Sequence, residues 1–295
     1  MDAPVHPVLV TGATGRVGRE VVAQLLAAGV PVRALTRRPD AAGLPAAVEV
    51  VAGDLTVPAS LDTALQGVGA VFLLWTAPPA TVPVVVDRLA AHVRRVVFLS
   101  SPHRTPHPFF QQPTPMAVLH ADIERLIVTA GLASTIIRPG MFASNARLWW
   151  ADAIRRRAVV RWPYAEAETA PIDERDIAAV AVRALCENGH AGGDYVLTGP
   201  ESLSQAEQVS IIGSGIGRRI SFEELSPDDF RRETAGSWPR PVVDMLLAAW
   251  GATIGRPAFV TSTVFDVIGS PPRTFRQWVT DHVAVFLEQP AHDDA

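Results

Sequence analysis

Residues Val8 to Glu20 read VLVTGATGRVGRE, and no other stretch limits the fold as strongly. A short apolar run, Val8–Val10, passes through Thr11-Gly12-x-x-Gly15-x-x-Gly18 into a run whose Val17, Val21, Leu25 and Ala28 share one helix face. Strand, glycine loop and helix in that order make a phosphate cradle. Gly12 permits the tight turn, Gly15 lets backbone approach a pyrophosphate, and Gly18 lets the helix pack on the strand. The helix start then turns free N–H groups and its positive dipole end towards the anion. Thr11, Thr14, Arg16 and Val17 complete the expected binding loop. A second cluster, IIGSGIGRR at Ile211 to Arg219, follows a capped helical run rather than a strand. It reads as a helix end and turn, and is set aside.

The rest of the first half repeats the alternation. Apolar runs at Val32–Leu35, VEVVAGD, AVFLLW, VVFLS and STIIRP are separated by helical runs at Ser60–Gln66, Thr81–Val93 and Met116–Ala130. The strand runs are continuously apolar rather than alternating, as strands covered by helices on both faces must be. The expected fold is therefore α/β: a Rossmann-like, doubly wound parallel sheet. Residues 1–140 form the dinucleotide-binding domain. Residues 141–295 form a smaller, mostly helical substrate lobe, with some segments returning to the sheet. Ser204 with Glu207, and Ser226 with Pro227, mark helix starts in that lobe.

Composition excludes several functions. The 295 residues are 48% hydrophobic and 19% charged, which fits a folded globule. The most apolar run, Ala77 to Val86, is broken by Pro78, Pro79 and Pro83, so no spanning helix is expected. The N-terminal MDAPVHPVLV has no basic flank, and no leader is expected from it. A net charge of −4 gives no general attraction to nucleic acid or an anionic membrane. The one cysteine, Cys186, sits in a helical run and reads as a structural thiol of a cytoplasmic protein. All 26 basic residues are arginine, so no mechanism that needs a lysine can operate.

The dinucleotide can be chosen by charge. A site for NAD places an acid on the ribose about 20 residues past the loop. Here Thr36, Arg37 and Arg38 stand at that place, and Asp40 follows only after Pro39. With Arg16 in the loop, these guanidiniums suit a 2′-phosphate, so NADP(H) is the expected cofactor.

With these residues in view, the chain resembles the NmrA-like branch of the atypical short-chain dehydrogenase/reductases. The likeness runs through VTGATGRVG, RALTRRP, VAGDL, VVFLSS, HADIERLIVTAGLASTIIRPGMFASN, PIDERDIAAVAVRAL and YVLTGPESLS. It implies that Asp54 and Leu55 lie beside the adenine, and that Trp75, Thr76 and Ala77 follow the fourth strand beside the cofactor. It places Ser100 near the nicotinamide ribose, and Pro139, Met141 and Phe142 against the nicotinamide. The wider superfamily works through a Tyr-x-x-x-Lys pair, in which tyrosine donates the proton. This chain has only Tyr164 and Tyr195, neither followed by a lysine, and His120 stands where the isoflavone-reductase-like proteins carry a lysine.

His120 is the candidate catalytic residue, able to carry a proton near neutral pH or to sit hydrogen-bonded at its helix start. His103 and His107 follow the fifth strand, but Pro102, Pro106 and Pro108 keep them from converging, and no metal is expected. Phe142, Trp149, Trp150, Trp162 and Tyr164 crowd one segment after the nicotinamide-side strand. Phe142, Asn145, Trp149, Trp162 and His103 are the candidate substrate contacts, and flat aromatic substrates suit such walls. Hydride transfer to a quinone leaves a stabilised anion and needs less acid catalysis than transfer to an isolated ketone. An NADPH-dependent reductase of a quinone or polycyclic aromatic carbonyl follows, with the resemblance extending to tailoring reductases of aromatic polyketides. The alternative is a non-catalytic NADP(H)-binding redox sensor of the NmrA type. Oligomeric state stays open.

Overall fold

The continuous apolar runs become strands buried on both faces, and the amphipathic runs become the helices that bury them. The computed structural model describes residues 6–287. In chain order the first half holds β1 (Val8–Val10), α1 (Arg16–Ala27), β2 (Val32–Thr36), β3 (Glu49–Ala52), α2 (Leu61–Leu65) and β4 (Ala70–Leu74). It continues with α3 (Val82–His92), β5 (Arg95–Leu99), α4 (Pro115–Thr129) and β6 (Ala133–Pro139). The second half holds α5 (Asn145–Arg157), β7 (Val159–Pro163), β8 (Glu168–Thr169), α6 (Glu174–Cys186), β9 (Asp194–Leu197) and β10 (Leu203–Ser204). It ends with α7 (Gln205–Gly215), β11 (Ser221–Leu225), α8 (Pro227–Glu233), α9 (Arg240–Gly251), α10 (Thr263–Ile268), α11 (Phe275–Asp281) and α12 (Val283–Leu287).

Seven strands form one all-parallel sheet in the order β3-β2-β1-β4-β5-β6-β9. The direction of winding reverses between β1 and β4, so the loops leaving these strands part and open a crevice at their carboxyl ends. Thr11 holds that crevice together. Its hydroxyl donates to the Leu74 carbonyl (3.0 Å) and accepts from the Leu74 N–H (2.7 Å). One sheet face is covered by α1 and α6, whose Val17, Val21, Ile177 and Ala181 share a core with Val10 and Phe72. The other is covered by α2, α3 and α4 through Leu61, Val85, Leu89, Ile123 and Ile127.

The segments that return to the sheet are α6 and β9, the latter pairing with β6 as an edge strand. The lobe therefore comprises the chain on either side of them. Two short ribbons, β7 with β11 and β8 with β10, frame it. Its core is aromatic: Trp150, Trp162, Phe230, Trp250, Phe275 and Trp278 are all buried in one cluster. The second glycine cluster is the end of α7, closed by Gly217 at φ +66°. Ser204 and Glu207 form a reciprocal cap at the start of α7, and Ser226 caps α8 ahead of Pro227. Cys186 is half-buried at the end of α6, where burial pushes its thiol pKa up. Among the described residues, no helix is long and apolar enough to cross a membrane.

Candidate active site

The glycine loop divides the crevice into two clefts. Gly12 takes φ +63°, the left-handed turn that sends the chain back under β1. Gly18 is required by space: a Cβ there would lie 2.0 Å from the Gly12 carbonyl oxygen. The turn and the first helical turn of α1 are thus pressed backbone to backbone. Gly15 stands at the N-cap of α1, with no side chain capping the helix start. Those N–H groups are open to an anionic ligand.

On the β2 side lies a cleft of about 300 Å³ lined by Thr11, Gly12, Thr14, Gly15, Thr36, Arg37, Arg38, Asp54, Leu55 and Thr76. Arg37 and Arg38 are exposed and, among the described residues, neither pairs with an acid. Asp40 is carried away in a short 3-10 turn and does not line the cleft. Arg16 is not part of this cleft. It turns to the lobe instead, where its guanidinium donates to Ser144 Oγ (2.7 Å). Of the two or three guanidiniums expected around a 2′-phosphate, Arg37 and Arg38 line this cleft and Arg16 does not.

On the β5 and β6 side lies a cleft of about 550 Å³, where Arg16, Val17, Trp75, Ser100, His120, Pro139, Phe142 and Asn145 come together. Trp75 is fixed by its indole N–H, which donates to the Ala77 carbonyl (2.6 Å), so Ala77 supports the wall from behind. The remaining candidates lie elsewhere. Met141 lines a small void with Phe109 and Phe110. Trp162 is buried against Phe230 (4.7 Å between rings), and half-buried Trp149 packs on Trp150, Trp162 and Trp250. The enrichment of aromatics in this segment thus builds mainly the lobe core, with Phe142 alone on the cleft wall.

His120 lines the cleft from α4, edge-on to Phe98 at 5.5 Å, and is only 8% exposed. Burial pushes its pKa down to about 4, outweighing the nearby Glu124 carboxylate. The sequence expectation of a proton carrier near neutral pH gives way to a neutral imidazole. Its Nδ1 is buried and has no hydrogen-bond partner among the described residues.

Behind Ser100 stands a group that pattern reading missed. Glu124, one turn after His120 on α4, is buried and grips Arg138 of β6 through two parallel bonds (2.7 and 2.8 Å). Ser100 Oγ donates to the same carboxylate. Arg138 also reaches Asp194, at the first residue of β9. His103 sits behind this network and not on the cleft, with its Nε2 4.0 Å from Glu124; desolvation lowers its pKa. The missed signal is Arg138 itself. An arginine inside the buried run STIIRP must find a carboxylate, and the acid one turn past His120 is on the facing helix.

A family model described as NAD(P)H-binding matches residues 12–188, more than half of the chain. The chain belongs to that family. The resemblance to NmrA-like atypical short-chain dehydrogenase/reductases holds, and the chain is an NAD(P)H-dependent oxidoreductase. It is 40% identical to a (4-alkanoyl-5-oxo-2,5-dihydrofuran-3-yl)methyl phosphate reductase of Streptomyces griseus, covering 96% of this chain and all of the relative. It is 32% identical to an NAD(P)H azoreductase of Xenophilus azovorans, covering 95% and 99%. Among solved structures, the NADPH-dependent quinone oxidoreductase QOR2 of Escherichia coli superposes with TM-score 0.78 at 26% identity, over 93% of this chain and 99% of that one. The same protein in complex with NADPH superposes equally well, at 25% identity.

Proposed function

We propose that this chain is an NADPH-dependent reductase of a flat, conjugated electrophile whose reduced form is a delocalised anion. The class includes quinones, polycyclic aromatic carbonyls of the kind tailored in polyketide assembly, and acyl-butenolides such as the substrate named for the Streptomyces relative. Three features support the choice of cofactor: the Gly18 packing that no side chain would allow, the uncapped start of α1, and two arginines without acids at the ribose position. A bound reduced nicotinamide supplies hydride. Pro139 and Phe142 would hold its ring, and Ser100 would face its ribose.

The observation that carries the substrate class is the protonation of the reduction cleft. It holds no tyrosine and no lysine, and its one histidine is neutral at pH 7. Arg16 does not give up a proton at any working pH. The Ser100 hydroxyl proton is committed to Glu124, which leaves its lone pairs to accept from a ribose hydroxyl. The cleft thus offers hydrogen-bond donors, the His120 imidazole and the Arg16 guanidinium, but no group that gives up a proton near pH 7. General acid catalysis is typically worth roughly a hundred- to ten-thousandfold, so a substrate that does without it must spread its own charge.

Both favoured substrate types do so. Hydride addition to a quinone oxygen-bearing system gives a hydroquinone anion. Addition to the β-carbon of a 4-acyl-5-oxo-dihydrofuran breaks the C=C bond and leaves an enolate shared by two carbonyls. Solvent then protonates the α-carbon or the oxygen. His120 would steady the developing oxyanion through a neutral N–H. The test is loss of NADPH absorbance with a panel of quinones and acyl-butenolides. Turnover is expected with at least one of them. No turnover with any, in protein that binds NADPH tightly, would overturn the reading in favour of the redox sensor.

A further inference from the structure

Along one face of α4, three side chains on successive turns run from solvent into the molecule. Met116 is 52% exposed, His120 8% and Glu124 3%. Residues four apart on a helix lie one above the other, so these three form a single line. The neighbouring face carries Leu119, Ile123 and Ile127 onto the sheet core. At the closed end of the line, Glu124 holds Arg138 and Ser100. His120 lines the reduction cleft in the middle, and Met116 lines the same cleft at its open end, with Pro102 of the preceding loop.

The start of α4 fixes Met116 in that place. Thr114 caps the helix by accepting from the Ala117 N–H (3.0 Å), and Pro115 fills the first helical position. Among the described residues, Met116 joins none of the three apolar clusters of the protein. Val118 is more exposed still, but it lies on the other side of the helix and lines no part of the cleft. Met116 is thus a large apolar side chain held half in water at the mouth of an apolar cleft. Its unbranched thioether adapts to the shape of a neighbour and makes favourable sulfur contacts at the edge of an aromatic ring.

We propose that Met116 determines specificity for the breadth of the acceptor: it is a lip that covers the outer rings of a fused-ring substrate whose reacting ring lies beside His120. The inference rests on the reductase reading and deepens it. The inner end of the line is filled by Glu124, Arg138 and Ser100, so an acceptor engaged at His120 grows only outwards. Met116 stands about one helical turn out from His120, ~5.4 Å along α4. A one-ring quinone at His120 leaves Met116 in water, and each further fused ring reaches towards it. The contact is apolar, so its contribution follows the ring area covered rather than the number of polar groups on the substrate.

The probes are duroquinone, menadione and phenanthrenequinone, a series of rising ring number, bound to NADP+-loaded protein so that turnover is not required. Dilute peroxide converts exposed methionines to sulfoxides, read by peptide mass spectrometry, and Met245, partly exposed on α9, is the internal reference. Phenanthrenequinone is expected to slow oxidation of Met116 about threefold or more relative to Met245, beyond any effect of NADP+ alone, and duroquinone to leave the ratio unchanged. By calorimetry, Met116→Ala should weaken phenanthrenequinone about three- to tenfold, as expected for uncovering half a methionine side chain, and duroquinone less than about twofold. Met116→Leu should keep the affinity, whereas Met116→Gln, of similar length but polar, should lose it. Val118→Ala is the surface control and should change none of the three. Equal losses for duroquinone and phenanthrenequinone overturn the proposal, as does an oxidation rate that no quinone alters. So does a Met116→Ala protein whose main defect is weaker NADP+ binding, since Met116 would then serve the cofactor. If protection rises with ring number but no quinone or butenolide is reduced, the lip stands and the reductase reading falls. If butenolides are reduced and no quinone protects Met116, the reductase reading stands and the lip falls.

Discussion

Replacing His120 with glutamine tests the central feature of the cleft, its missing acid. The native imidazole has its pKa lowered by burial from 6.5 to about 4. The unfolded chain therefore takes up a proton at this residue before the folded one does. Stability from keeping the imidazole neutral is fully present above pH 6.5 and is lost as pH falls towards 4. With each pKa unit worth 1.36 kcal/mol, the loss between pH 7 and 4 is about 3 kcal/mol. Glutamine does not titrate, so His120→Gln should lack this component. The assay is urea unfolding of both proteins at a series of pH values, read as the difference between their free energies. That difference should shrink by about 3 kcal/mol on going from pH 7 to 4. A constant difference across the range would refute the depressed pKa, and with it the neutral-donor role. The same reasoning predicts that kcat shows no fall between pH 5.5 and 8 assignable to His120, because the residue stays neutral throughout.

Other features of the site make independent predictions. Arg37→Ala should raise the Kd for NADPH about tenfold or more, as expected for losing a charge-assisted contact, while changing NADH much less; equal effects on both would remove the phosphate clamp. Gly18→Ala places a methyl 2.0 Å from the Gly12 carbonyl and should abolish dinucleotide binding in titrations monitored by tryptophan fluorescence; wild-type affinity would show that the loop yields. Trp162→Ala empties the centre of the lobe core and should cost about 3–5 kcal/mol in urea unfolding, and an unshifted midpoint would place Trp162 outside that core.

Much of the first half was legible because its elements are specified locally. Val8–Val10 must be a strand because it is apolar, short and followed by a glycine loop, and Gly18 must be glycine wherever that loop folds. The second half is specified by contacts between distant residues. The run Glu174–Cys186 reads as an amphipathic helix, yet its apolar face meets α1, more than 140 residues earlier, and nothing in its periodicity names that partner. Trp149 and Trp162 show the same limit from another side. Their proximity to Phe142 in sequence favours the cleft, but α5 carries Trp149 and β7 carries Trp162 into the aromatic cluster of the lobe, where the two rings lie 5.9 Å apart. Arg16 is decided by a single contact across 128 residues, to Ser144, which moves it from the ribose side of the loop to the lobe side.

The proton question turns on the same kind of distance. Ser100 follows a strand that ends in the cleft, and its sequence context gives no sign of which way its hydroxyl points. The buried pair formed by Glu124 and Arg138 settles that. A carboxylate accepts and cannot donate, so the bond between Ser100 and Glu124 fixes the serine as the donor. A serine so committed cannot also donate to a substrate carbonyl. Removing the lysine and tyrosine of the usual relay would leave the serine as a fallback donor, but Glu124 withdraws it. Together with the depressed pKa of His120, this leaves the cleft without a proton donor near neutral pH, and that is the ground for proposing substrates that spread their own charge.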